Sequence, residues 1–396
     1  MDLKGKIKQL SEDYFNEVLD IRRHIHANPE LSFQEYETSK FVRSTLESYG
    51  YQDIQSIADT GLTVTVEGKN PEKKVIALRA DMDALPIYEA NDVPYKSKNE
   101  GVMHACGHDV HTASMLGAAK ILQEVKEEFE GTIKFIFQPG EEKLPGGASI
   151  MIKEGILENP DPSEILGQHV MPLVPVGKVG FRKGMYMASA DEIYVTVTGK
   201  GGHGAMPELC VDPVLIASHI IVALQQIVSR VSSPKIPSVL TFGKVMANGA
   251  TNIIPNEVKL EGTFRTFNEE WRKEAHSKMK KMAEGIAESM GGSCNFDIHV
   301  GYPYLENHPE LTEFTKNAAI DYMGAENVVD LDLWLAAEDF AFFTHERDAC
   351  FYRLGIKNEA KGITAGVHTP VFNIDEDALK TGMGLMAWLA IQNLSK

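Results

Sequence analysis

The chain has 396 residues, 43% hydrophobic and 24% charged, and its 39 basic and 56 acidic side chains give a net charge of -17. That length exceeds what one hydrophobic core usually supports, so two domains are the default, and the acidic balance without a basic, aromatic-interleaved stripe argues against a nucleic-acid partner. No run approaches the roughly 18 apolar residues of a membrane span, and the lysine-rich start leads into Leu10-Ser11-Glu12-Asp13 rather than the apolar segment of a secretory signal, so the expectation is a cytoplasmic protein without a membrane partner.

Val75-Ile76-Ala77-Leu78, Thr132 to Phe137 and Ser163 to Gly167 are short β-rich runs, each leading directly into polar groups. Between the first two, Thr112 to Phe129 repeats Met115, Ala118, Ala119, Leu122 and Val125 at helical spacing, which predicts an α/β sheet with helices on both faces. Ligands of such sheets gather at the carboxyl ends of strands. Asp81-Met82-Asp83, Glu141-Glu142 and His169 each fall just past one of these runs, so three segments point to one sheet edge.

From Glu192 the pattern changes. Glu192 to Gly199 alternates as a strand, and Asp212-Pro213 reads as an N-cap and first helical residue, opening a helix to Arg230. Strands at Ser238 to Val245 and Glu257 to Phe267, a helix from Glu269 to Met290 and a strand from Cys294 to Val300 complete a βαββαβ order, the split pattern of a ferredoxin-like domain. After Gly301 the signals resume at Leu311 to Met323, Ala349 to Leu354 and Asp375 to Leu394. Residues 1–183 and 299–396 are therefore expected to form one domain, with residues 184–298 inserted.

The nonapeptide from Met103 to His111 holds His104, Cys106, His108, Asp109 and His111, in a chain with only four Cys and 13 His. This density predicts a metal site, ordinary core and capping residues being the alternative. The other cysteines, Cys210, Cys294 and Cys350, form no Cys-x-x-Cys pair and suggest no disulfide framework. Glu141-Glu142 follows a strand through Gln138-Pro139-Gly140, a turn that throws both carboxylates clear. Adjacent carboxylates can divide labour, one holding a metal while the other takes a proton from metal-activated water; a solvated acidic turn is the bland reading. His169 and His368, each a single histidine at a strand end or in a loop, gain meaning only from this company.

Several segments in this order resemble the M20 family of metallopeptidases and amidohydrolases, in the branch of N-acyl-amino-acid, hippurate and auxin-conjugate hydrolases. They are Arg22 to His26 with Pro29-Glu30-Leu31, Arg79 to Pro86, His104 to Asp109, Phe137 to Glu142, Gly202 to Pro207 and Ala337 to Phe340, and the resemblance spans nearly the full length. It implies an α/β, metallopeptidase-type mixed-sheet catalytic domain with an inserted ferredoxin-like βαββαβ domain for lid and dimerisation roles. It further implies two divalent transition-metal ions held by Cys106, His108, Glu142, His169 and His368, with the Cys106 thiolate bridging and Glu141 as general base. Thiolate, imidazole and carboxylate together suit Zn, Mn, Co or Ni.

Other branches carry His-x-Asp where this chain has Arg79-Ala80-Asp81, so the resemblance makes Asp81 a support orienting a ligand imidazole, against plain loop capping for Asp81 and Asp83. His104 and His111 are supporting or structural. For His203, in a glycine-rich loop, the resemblance implies the role of stabilising the oxyanion, across a dimer interface in one arrangement. By the same resemblance Asn252 and Arg265 look like binders of the substrate carboxylate, an Arg fork donating two parallel hydrogen bonds, although Arg265 alone reads as a solvated or paired side chain. One departure is Glu208, where many relatives have His after Met-Pro. The expected activity is hydrolysis of N-acyl amino acids or related small peptide-like substrates by a homodimer or higher homo-oligomer. The rivals are an exopeptidase or dipeptidase of the same fold and a non-catalytic metal-binding association protein.

Overall fold

The β-rich runs are buried on both faces, as central strands covered by helices must be. In the computed structural model, which describes residues 2–396, they form part of an eight-stranded mixed sheet. Its order is Gln55–Ile57, Gly61–Glu67, Thr132–Gln138, Val75–Asp81, Glu164–Pro175, Asp348–Lys357, Val179–Phe181 and Val328–Asp330. The four middle strands of this order, Thr132–Gln138 through Asp348–Lys357, are mutually parallel, so their carboxyl ends share an edge. Asp81 is paired with Gln138, Arg79 with Gly167, and His169 with Arg353, which puts Gln138, Asp81, His169 and Arg353 on one row across the sheet. His169 therefore lies inside a strand that runs on to Pro175, not past its end as the sequence suggests. The apolar run resumes at Val170 and Met171, both buried.

The helix read from Thr112 starts earlier, at His108, and ends at Glu124. Gly107 opens it with φ +83°, and a Cβ there would stand 2.6 Å from Val170 Cγ2, so glycine alone fits between Cys106 and His108. This helix and Ala378–Leu394 are buried on nearly every side, the two internal helices of the core. Helices Leu3–Asp13, Phe15–Ala27 and Tyr36–Ser48 and the hairpin of Gln55–Ile57 with Gly61–Glu67 have no counterpart in the sequence reading.

Two units result. The first comprises the chain up to Tyr186, Glu306–Asp332 and Asp339–Lys396; the second comprises Met187–Leu305 and the short return Leu333–Glu338, which the sequence boundaries leave with the first domain. The second unit has the expected βαββαβ order. Its antiparallel sheet runs Ser238–Ala247, Glu257–Thr266, Asp191–Thr198, Ser293–Val300, with helices Pro213–Gln226 and Glu269–Ser289 packed on it. One expectation is corrected here. Pro213–Val231 is a 19-residue helical stretch long and apolar enough to cross a membrane. It reads as less continuous in sequence because polar side chains punctuate it, and Ile216, Ala217, Ile220 and Leu224 form part of this unit's core.

Candidate metal centre

The first unit gathers all five of the expected metal donors, and hydrogen bonds decide which ring nitrogen of the histidines is free. His108 Nδ1 lies 2.9 Å from the Asp83 carbonyl oxygen and 3.1 Å from its Oδ1, so it donates, and the lone pair falls on Nε2. That Nε2 is buried without a hydrogen-bond partner, 4.0 Å from both Glu141 Oε2 and Glu142 Oε1. His169 repeats the pattern: Nδ1 donates to the Val170 carbonyl at 2.7 Å, and Nε2 faces Cys106 Sγ at 3.5 Å. His368 Nε2 is 3.1 Å from Glu142 Oε1, and its backbone N–H donates to the Ala105 carbonyl at 2.8 Å, tying the distant His368 loop to the cysteine motif.

Donor atoms of Cys106, His108 and His169 lie within 4.8 Å of one another, as do those of Cys106, Glu142 and His368 and those of His108, Glu141 and Glu142. Cys106 is the donor common to the group with His108 and His169 and the group with Glu142 and His368, which is the placement a bridging thiolate needs. Burial and Glu142 push the Cys106 thiol up, whereas the electrostatics of the imidazoles favour a positive charge. Burial opposes charge on His108, yet Asp81, Asp83 and Cys106 outweigh it and raise its pKa well above the usual imidazole value. Hydrogen bonding with Cys106 and Glu142 raises His368 to about 10. Burial and Arg353 keep His169 neutral. A pocket that holds protons so firmly on two imidazoles favours positive charge, and divalent ions would replace those protons.

Asp81, expected to orient a ligand imidazole, lies 3.8 Å from His108 Nε2 and takes its hydrogen bonds from other groups. It accepts from Arg79 Nη1 at 2.5 Å and from His111 Nδ1 at 2.6 Å; His111 Nε2 in turn accepts the Val170 N–H at 2.9 Å. Both nitrogens of His111 are thus committed, which removes it as a ligand. Asp81 steadies His169 through His111 and the Val170 peptide, while Asp83, not Asp81, grips the imidazole of His108. Asp-x-Asp at the strand end was the available signal, but sequence gave no means to choose between its two acids. Arg79 also binds Gln138 and Asp339 at 2.8 Å each, and Asp339 accepts the Ala148 N–H, so the Glu-Asp-Phe segment braces the same strand ends. Among the described residues His104 and Asp109 join no donor group: His104 is buried with its pKa pushed down to about 4 by burial, and Asp109 pairs with Arg22 and His26.

In the second unit, His203 and Asn252 come together and Arg265 does not. Gly202–His203 pairs antiparallel with Ile253–Ile254, and the Gly204 N–H donates to the Asn252 carbonyl at 2.8 Å. His203 is exposed, and its Nδ1 accepts the Ala205 N–H at 3.1 Å, leaving the proton on Nε2 as an outward donor. This ribbon prolongs the ladder beyond the Thr198–Glu257 pair, whereas Arg265 lies near the other end of the Glu257–Thr266 strand, on the order of 25 Å away at about 3.3 Å per residue. There its Nη1 donates to the Leu335 carbonyl at 3.0 Å. Glu208 is exposed in the Pro207–Leu209 turn.

The family described as Peptidase family M20/M25/M40 matches residues 77–392. The chain is 42% identical over 307 residues to the N-acyl-L-amino acid amidohydrolase of Geobacillus stearothermophilus, spanning 78% of this chain and 82% of that one. It is 39% identical over 391 residues to IAA-amino acid hydrolase ILR1-like 4 of Arabidopsis thaliana, spanning 96% and 87%. The crystal structure of the Bacillus subtilis YXEP protein, described as a dinuclear metal binding peptidase from the M20 family, superposes with a TM-score of 0.83 at 34% identity over 97% of this chain and 99% of that one.

Proposed function

This chain belongs to peptidase family M20/M25/M40, and from that premise we propose that it is a metal-dependent amidohydrolase cleaving N-acyl amino acids or related small peptide-like substrates. The observation that carries the reading is the pair of imidazoles, His108 and His169, whose Nε2 lone pairs converge beside Cys106 with Glu141 next to them. Cys106, His108, Glu142, His169 and His368 would hold two divalent transition metals, Zn, Mn, Co or Ni by donor chemistry. Such ions supply Lewis acidity toward the amide carbonyl and lower the pKa of water toward about 7. Glu141 takes the proton of the attacking water and returns it to the leaving nitrogen. His203 donates from Nε2 to the oxyanion, and Asn252 and Arg265 bind the substrate carboxylate.

The separation of Arg265 from His203 and Asn252 favours two copies over one. A small substrate does not span on the order of 25 Å, so Arg265 and the His203–Asn252 pair are assigned to the sites of different copies of the chain. The inserted unit offers a surface for a second copy: Ser238–Ala247 is an open edge strand, and Leu215 at 51% exposure and Val222 at 74% leave the neighbouring helix apolar toward solvent.

The experiment is a comparison of metal-stripped and reconstituted protein on acetyl-, benzoyl- and aminoacyl-amino acids. Metal-dependent turnover of the acylated substrates is expected, with little on free dipeptides. Preferential cleavage of dipeptides, which carry a charged α-amino group, would replace this reading with an exopeptidase.

A further inference from the structure

The segment Ser32-Phe33-Gln34-Glu35, just beyond Pro29-Glu30-Leu31, has no part in the chemistry so far. It packs against the turn that carries Glu141 and Glu142. Glu35 is fully buried. Its Oε1 accepts two backbone donors, the Phe33 N–H at 2.9 Å and the Gly140 N–H at 2.8 Å, and its Oε2 accepts the Thr60 hydroxyl at 2.7 Å.

Each partner belongs to a turn with left-handed backbone: Phe33 at φ +65°, Gly140 at +60°, and Asp59, beside Thr60, at +65°. Such conformations persist only where the surroundings over-determine them. At Gly140 the space is also fixed, since a Cβ would stand 2.3 Å from the Phe33 ring. The next side chain up, Ser32, donates to Asp83 Oδ2 at 2.6 Å, and that same oxygen accepts the Glu142 N–H at 3.0 Å. The peptide N–H groups on either side of Glu141 are therefore both held by carboxylates anchored on one short segment. A buried carboxylate is costly to desolvate, and an apolar residue would fill the space at less cost, so the N–H groups it binds account for its presence.

We infer that Glu35 is a positioning residue for amide hydrolysis, fixing the Gly140 peptide so that Glu141 is held toward His108 while Glu142 faces His368. This rests on Glu141 being the general base. A misplacement of about 1 Å at a reacting group costs roughly 100-fold in rate, and that sets the expected effect.

The test uses the full chain loaded with metal and an N-acetyl amino acid that the unaltered protein hydrolyses. Glu35→Ala removes the acceptor. Glu35→Asp withdraws it by one methylene and serves if the alanine variant does not fold. Glu35→Gln keeps a carbonyl oxygen where Oε1 stands. In Glu35→Ala or Glu35→Asp, kcat per metal-loaded chain is expected to fall about 100-fold with KM within about threefold, and Glu35→Gln to return within about tenfold of the unaltered chain. An unchanged kcat in a folded, metal-loaded Glu35→Ala or Glu35→Asp protein overturns the inference, as does a Glu35→Gln loss as deep as theirs. Glu141→Gln measured alongside separates the two ideas. Full turnover there removes the base on which the inference rests, whereas its loss together with an unchanged Glu35→Ala or Glu35→Asp rate removes only the role of Glu35.

Discussion

His108 and His203 both stand next to glycines, yet their protons sit on opposite nitrogens. His108 is buried with Nδ1–H committed to Asp83, so Nε2 is the nitrogen whose lone pair a cation would take in place of a proton; His203 is exposed with Nδ1 accepting from Ala205, so Nε2 presents a hydrogen. One can bind a cation and the other can stabilise an anion. The difference comes from a single backbone or side-chain neighbour in each case, and it divides the molecule into a buried unit that collects lone pairs and an inserted unit that offers a donor at its surface.

The largest expected effect comes from breaking the buried half. Cys106→Ala removes the donor common to the His108–His169 and Glu142–His368 groups, and turnover is expected to fall by more than about 10³-fold with fewer than two ions per chain by elemental analysis. Next is the exposed half. His203→Ala is expected to lose about 10²-fold in kcat while keeping its ions. If His203 serves the other copy, an equal mixture of His203→Ala and Glu141→Gln chains should recover roughly a quarter of normal activity after subunit exchange, because half of the dimers are mixed and each has one intact site. No recovery would place His203 in its own chain's site.

Asp83→Asn sharpens the account of the tautomer. It weakens the carboxylate contact to His108 Nδ1, and metal affinity is expected to fall about 10- to 100-fold in competition with a chelator. The smallest effect is a pH slope. His368 in the metal-free protein is raised to about 10 by Cys106 and Glu142, so binding must expel its proton. Metal affinity should therefore rise with pH below that value, by up to about tenfold per unit for each proton released, and proton release should be measurable by calorimetry in buffers of different ionisation enthalpy.

Much of this was legible in the residue order. The Cys-x-His pair, the acid pair after Phe-Gln-Pro-Gly and the βαββαβ spacing carry their meaning locally. The rest depends on long-range pairing. His169 reads as a strand-end residue because Gly167, Gln168 and His169 itself break the apolar run before it resumes at Val170 and Met171, and only sheet register puts it level with Asp81. Whether Asp81 or Asp83 holds His108 is a choice between two acids one residue apart, decided by the turn after the strand. Arg265 and Asn252 look like partners in sequence, but the Glu257–Thr266 strand separates them, with Asn252 before its start and Arg265 near its end. The three N-terminal helices went unassigned because their apolar residues are sparse among charges, with Val18, Ile25, Val42 and Leu46 buried only by tertiary packing.

The division of labour between adjacent carboxylates is the centre of the account, and Glu141→Gln tests it most directly. With metal content and turnover measured on the same sample, the account predicts two ions per chain and a kcat reduced by about 10²- to 10⁴-fold, the range of general acid–base catalysis. Full turnover with both ions retained would contradict it.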